Sequence, residues 1–102
     1  VDIQFHDGGD EGVFIVETTA PAGKVLVSHR HDHAHMSVLV SGTADVTIDG
    51  RTERMTGYRM VSIPANTQHK VVAVTNVIWL CLWADHLAPK EKTVASLKLV
   101  AA

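Results

Sequence analysis

Residues 44–55 read ADVTIDGRTERM. Ala44, Val46 and Ile48 alternate with Asp45 and Thr47, the period of a strand with one face buried. Asp49-Gly50 then supplies two residues that tolerate positive φ, as a two-residue hairpin turn requires, and Arg51 to Met55 returns as the partner strand. A β-hairpin is predicted here. Its pattern of short alternating runs cut by breakers recurs in both directions along the chain.

Upstream, Gly12 to Glu17 (GVFIVE) and Lys24 to Ser28 (KVLVS) read as strands around Thr19-Ala20-Pro21-Ala22-Gly23, where Pro21 removes a donor and Gly23 permits positive φ. Met36 to Val40 reads as a further strand, closed by Ser41-Gly42. Downstream, Gly57 turns the chain into Met60 to Ile63, and Pro64-Ala65-Asn66-Thr67 makes a turn in which Asn66 can take the left-handed conformation. His69 opens the next strand. Val77 to Trp83 (VIWLCLW) is continuously apolar, as expected of a strand covered on both faces, and Asp85 to Lys92 is a polar connection to a last predicted strand, Thr93 to Val100. About eight to ten strands at this spacing, with no convincing helical period, predict an all-β sandwich or barrel of the jelly-roll type.

The 102 residues are enough for one compact domain, taken as 1–102, with a sizeable core. Apolar residues at 46 % and charged residues at 20 % are ordinary for a globular protein and exclude a disordered or fibrous chain. A net charge of −2, with Lys and Arg scattered, offers no basic stripe for a phosphate backbone, so nucleic acid is not an expected partner. No apolar run approaches the ~20 residues of a membrane span, the N-terminus carries no signal-like pattern, and the single Cys81 has no internal disulfide partner. A cytoplasmic protein without a membrane partner is therefore expected.

Histidine usage departs from the ordinary. Seven histidines are present, and four of them fall in Ser28 to Met36, SHRHDHAHM, at 29, 31, 33 and 35. Side chains two apart on a strand share a face, so an H-x-H pair presents two imidazoles to one side, where one metal ion can bridge them. Neutral imidazole suits Zn, Ni, Cu, Fe and Mn. Four alternating histidines on one extended segment cannot all reach one ion, since the first and last lie about 20 Å apart. A turn or change of strand at Asp32-His33-Ala34 would bring the chain back, and the spacing leaves open whether His33 or His35 then joins His29 and His31.

These residues resemble the cupin superfamily. Gly23, His29, His31 and Gly42 have the spacing of its first motif, G-x5-H-x-H-x3-E-x6-G, with His35 at the glutamate position. Gly57, Pro64 and His69 match its second motif, G-x6-P-x-G-x2-H-x3-N, with Asn66 in place of the glycine and Ala73 in place of the asparagine. The resemblance covers Gly23 to His69 and is closest to small single-domain cupins with an all-histidine site. It implies a cupin-type jelly-roll β-barrel open at one end, with one divalent transition metal ion (Mn, Fe, Ni or Zn) on His29, His31, His35 and His69. Imidazole in place of carboxylate leaves the ion its full double charge, which strengthens it as a Lewis acid.

Metal on histidines with open positions implies a metal-dependent enzyme on a small molecule, in the first place a dioxygenase-like oxidation of a chelating substrate. The alternatives are a lyase or isomerase using the ion as Lewis acid, and a non-enzymatic binding or sensing module. His33 and Tyr58 are the candidate proton-moving residues, with a rim position for His33 and a solvated one for Tyr58 as the plainer readings. Asp32 is a candidate to orient a ligand histidine or a plain loop carboxylate, and His6 and His86 read as solvated. In the apolar run, Val77, Trp79, Cys81 and Trp83 share one face and Ile78, Leu80 and Leu82 the other. If the first face is interior, Cys81 and the tryptophans border the pocket; otherwise Cys81 is a small core residue. Exposed edge strands and apolar chain ends point to a homodimer.

Overall fold

The computed structural model describes residues 1–8, 12–27 and 34–84. Nine strands lie within them: β1 (Asp2–Asp7), β2 (Val13–Ala20), β3 (Val25–Val27), β4 (His35–Ser41), β5 (Thr43–Ile48), β6 (Arg51–Thr56), β7 (Arg59–Ile63), β8 (His69–Ala73) and β9 (Val77–Ala84). No helix occurs among the described residues. The strands form two antiparallel sheets, one in the order β1-β2-β9-β4-β7 and one in the order β3-β8-β5-β6. This is a jelly-roll arrangement, and the two sheets stay separate ladders rather than closing into a continuous hydrogen-bonded barrel. The predicted strand Thr93 to Val100 lies outside the described residues.

The hairpin at 44–55 forms as predicted, with Ile48 opposite Arg51 and positive φ at Asp49 (51°) and Gly50 (80°). Asn66 takes the left-handed conformation (φ 57°). β1 was not foreseen: Asp2 to Asp7 pairs along β2 from Asp2 opposite Thr19 to Asp7 opposite Phe14. Its sequence DIQFHD carries only Ile3 and Phe5 as apolar residues, too short a pattern to stand out, and it is strand because β2 offers an edge.

The core lies between the inner faces. β2 contributes Phe14 and Val16, β4 Leu39, β7 Val61 and Ile63, and β9 Trp79 and Trp83, against Ala44 and Val46 of β5, Met55 of β6 and Val71 and Ala73 of β8. Each buried Val, Leu or Phe side chain contributes roughly 1.5–3 kcal/mol, so this stack outweighs the few polar groups among it. The connection from Ile63 to His69 crosses between the sheets, since β7 belongs to the larger sheet and β8 to the smaller.

The three glycines that fill the motif spacing make backbone contacts at the opposite end of the sandwich. Gly57 N–H donates to the Gly42 carbonyl at 2.9 Å, and Gly23 N–H donates to the Ala73 carbonyl at 2.7 Å. Gly42 adopts φ 87°, and a Cβ there would collide with the carbonyl oxygen of Asn76. Left-handed strain and a backbone clash act together at this position. Gly42→Ala is therefore expected to lose at least about 2 kcal/mol of stability, measurable as a lowered urea midpoint. Gly50→Ala, at the hairpin turn with nothing within 4 Å of its added Cβ, should lose less.

Candidate metal centre

β4 begins at His35, whose register partner is Ile63 at the end of β7. β8 begins at His69, whose partner is Ile48 at the end of β5. Both histidines thus start strands at the same end of the sandwich, one on each sheet, and the β7–β8 crossover sets them face to face. Alternation then turns both side chains inward. His35 is 7 % and His69 5 % exposed, and their ring centroids lie 5.6 Å apart at an interplanar angle of 56°. An imidazole bound at ~2.1 Å holds its ring centroid roughly 3 Å from the ion, so this separation lets two rings share one ion. The buried nitrogens at this end include Nδ1 and Nε2 of His35 and Nδ1 of His69. The donor chemistry fits a divalent transition metal.

Aromatic packing backs the pair. The Trp83 ring stacks on His35 with centroids 4.1 Å apart and 23° between planes, and Phe14 stacks behind Trp83 at 6.4 Å. The first of the two faces of β9 is therefore the interior one, and Trp83 covers His35 on that side. Period-two alternation separated the two faces of β9 without choosing the inner one, and Phe14 had no signal in the sequence beyond being apolar. Stacking limits rotation of the His35 ring, as a hydrogen-bonding neighbour does for many metal-ligating histidines.

Below this layer, Ser37 and Cys81 face each other in register across β4 and β9, and the Ser37 hydroxyl donates to Cys81 Sγ at 3.6 Å. Ser37 is fully buried and was not singled out by the sequence. Burial raises the Cys81 thiol above its ordinary value, only partly offset by hydrogen bonds from Ser37 and Trp79. The thiol stays protonated near neutral pH and sits in the core beneath the histidines.

His29, His31, His33, Asp32 and His86 lie outside the described residues. β3 ends at Val27 on the smaller sheet and β4 starts at His35 on the larger, so the change of strand expected within the histidine run falls between them. Among the described residues no group of three or more His, Cys, Asp or Glu comes together. Tyr58 is not brought to the pair. It is 77 % exposed in the β6–β7 turn, and because Arg59 aligns with Leu39 while Ile63 aligns with His35, that turn is at the far end of the sheet. A proton-moving role for Tyr58 beside His35 and His69 is not carried forward. His6, expected to be solvated, pairs with Glu17 at 3.0 Å while remaining half exposed, because β1 places it beside β2.

Comparison with known proteins agrees with this fold. The family model described as Cupin domain matches residues 15–83. The chain belongs to the cupin family. No curated protein matches it. Among solved structures it is similar to a cupin 2 domain-containing protein from Halorhodospira halophila (21 % identity, 97 % of this chain and 77 % of that one, TM-score 0.74). It is also similar to a conserved protein of unknown function from Streptococcus pyogenes (25 % identity, 72 % of this chain and 64 % of that one, TM-score 0.64). A salicylate 1,2-dioxygenase from Pseudoaminobacter salicylatoxidans shares the fold at 14 % identity, over 70 % of this chain and 20 % of that one, with a TM-score of 0.65. No described helix is long and apolar enough to cross a membrane.

The buried, protonated state of Cys81 sets its reactivity. Alkylation by iodoacetamide at pH 8 is expected to be slower in the folded protein than in urea by at least about 100-fold, because only local or global opening exposes the thiol. Mass spectrometry of the labelling time course checks this, and equal rates in the two conditions would contradict the placement.

Proposed function

We propose that this cupin holds one divalent metal ion on His29, His31, His35 and His69 and acts on a small chelating molecule, with dioxygenase-like oxidation as its reaction. The observation that carries the proposal is the pairing of His35 and His69, two imidazoles 34 positions apart that meet in the interior from opposite sheets. Neutral imidazole is the commonest metal ligand among side chains, and two that face each other at this separation suit a shared cation. His29 and His31 fall between β3 and β4, the segment that enters the strand carrying His35.

In this reading, a bound redox metal supplies Lewis acidity and one-electron chemistry to a substrate that chelates it through two oxygens. The chain's own residues supply the rest. His35 and His69 provide neutral donors from two rigid strands, Trp83 and Phe14 give an aromatic wall that excludes water on the β9 side, and His33 is the group assigned to move a proton. A salicylate 1,2-dioxygenase and a predicted oxalate decarboxylase both share the fold, so the bound metal and oxygen uptake decide between oxidation and lyase chemistry. Action in the cytoplasm and as a homodimer belongs to the same proposal.

Protein purified without a histidine tag or nickel resin should contain about one equivalent of Fe or Mn by elemental analysis, and should consume dioxygen with hydroxybenzoates or catechols. A zinc-filled protein without oxygen uptake would overturn the oxidation reading and favour a binding or Lewis-acid role. His69→Ala should weaken metal affinity at least about 100-fold by calorimetry, and Cu(II) or Co(II) should quench Trp83 fluorescence in the parent protein but not in the variant. Ligand histidines must be neutral, and with an ordinary value near 6.5 the metal should leave as pH falls below about 6. Full occupancy at about pH 4.5 would count against imidazole ligation.

A further inference from the structure

Strand register carries a charged side chain to the same level as the histidine pair. On the smaller sheet His69 aligns with Ile48, and Ile48 aligns with Arg51, across β8, β5 and β6. Residues directly opposite one another in antiparallel strands point to the same face, so Arg51 shares the inward face of Ile48 and His69. The other contacts of β6 agree. Thr52, Arg54 and Thr56 bond outward to Thr47, Asp45 and Thr43, while Met55 is buried in the core. Arg51, Glu53 and Met55 are therefore the inward row of this edge strand.

Charge along that row is unevenly used. Glu53, two residues along the same face, is the nearest carboxylate that could engage Arg51. It pairs instead with Arg59, which β7 points inward opposite Leu39, and this ion pair spans the seam between the two sheets. The Arg51 guanidinium has no ion-pair or hydrogen-bond partner among the described residues. It stands first after the Asp49-Gly50 turn, with its backbone roughly 10 Å from that of His69 across two strand spacings, a gap that an extended arginine side chain largely spans.

The two sides of the histidine pair thus differ. Trp83 and Phe14 cover the β9 side. On the β6–β7 side the register places Ile48 and Ile63, with Arg51 at the rim. An apolar lining with one placed cation receives an apolar body and orients it through a single anionic group. The proposed ion adds to the same field, because neutral imidazoles leave it its full double charge. A molecule that meets a dication and a guanidinium together is favoured when it brings negative charge.

We propose that Arg51 binds the carboxylate of the substrate, so that the site takes a chelating carboxylate in preference to a neutral chelator. The inference rests on the proposed metal site and names its substrate class. A guanidinium offers two parallel N–H donors to a carboxylate, and holding that group fixes which oxygens of the substrate face the ion. The Glu53–Arg59 pair keeps the neighbouring carboxylate from occupying Arg51 in the substrate's place.

Calorimetric titration of the Co(II)-loaded protein with salicylate and with salicylamide, its uncharged amide, separates charge from shape. Arg51→Gln should weaken salicylate binding by about 10-fold or more and leave salicylamide within about 2-fold of the parent. Arg51→Lys should recover part of the loss. Arg54→Gln, which removes the same charge from the outward face of the same strand, should change neither ligand, and Co(II) content should be equal in every variant. Unchanged salicylate affinity in Arg51→Gln, an equal loss of both ligands, an equal effect of Arg54→Gln, or a Co(II)-loaded parent that binds no salicylate would overturn the Arg51 assignment and leave the metal site standing. A parent that takes up no Co(II) would overturn the metal site itself, and the assignment with it.

Discussion

Side-chain contact across the inner faces holds the two sheets together, because among the described residues each hydrogen-bonded ladder runs within one sheet. Backbone pairing therefore shapes each layer, and apolar burial joins them. The joint tolerates few polar groups, and those present are placed with consequence. His35 and Ser37 point inward from β4, His69 points inward from β8, and Thr18 lies on the inner side of β2. Every other inner position from β2, β4, β5, β8 and β9 named in the core is apolar.

From this constraint the candidate centre follows. The inner faces taper into one end where β4 and β8 begin, and the first residue of each strand is a histidine. The Ile63-to-His69 crossover links the sheets at that end, so the two imidazoles come within reach of one another without any loop having to position them. Strands are stiffer supports than loops, and the Trp83 ring braces His35 from behind. Cys81 and Ser37, one layer deeper, form a small polar contact in the core. A neutral thiol there behaves as a compact apolar group.

The glycine positions of the motif spacing serve the opposite end. Gly42 and Gly57 let backbones approach at these turns, and the Gly57-to-Gly42 and Gly23-to-Ala73 hydrogen bonds tie the turns together. The inward pair His35 and His69 at one end and backbone packing at the other thus divide the motif between them.

Local pattern was enough for the strands from Val13 to Ala84, for the Asp49-Gly50 hairpin and for the left-handed Asn66, because period-two alternation and turn chemistry act over a few residues. It sorted β9 into two faces without deciding which is interior, and the outer one, expected to be covered as well, is only half-buried. The spacing of the histidines at 29 to 35 raised the expectation of metal binding that the proposed function carries. What tertiary structure decided was the partner of His35: His69 meets it through a crossover between sheets, and no local period encodes a contact 34 residues apart. The same holds for the Trp83 stack, for the burial of Ser37 against Cys81, for the pairing of His6 with Glu17 through an unforeseen β1, and for the removal of Tyr58 to the far end of its sheet. Periodicity tells which side of a strand faces inward, and only the order and register of the strands determine what it faces.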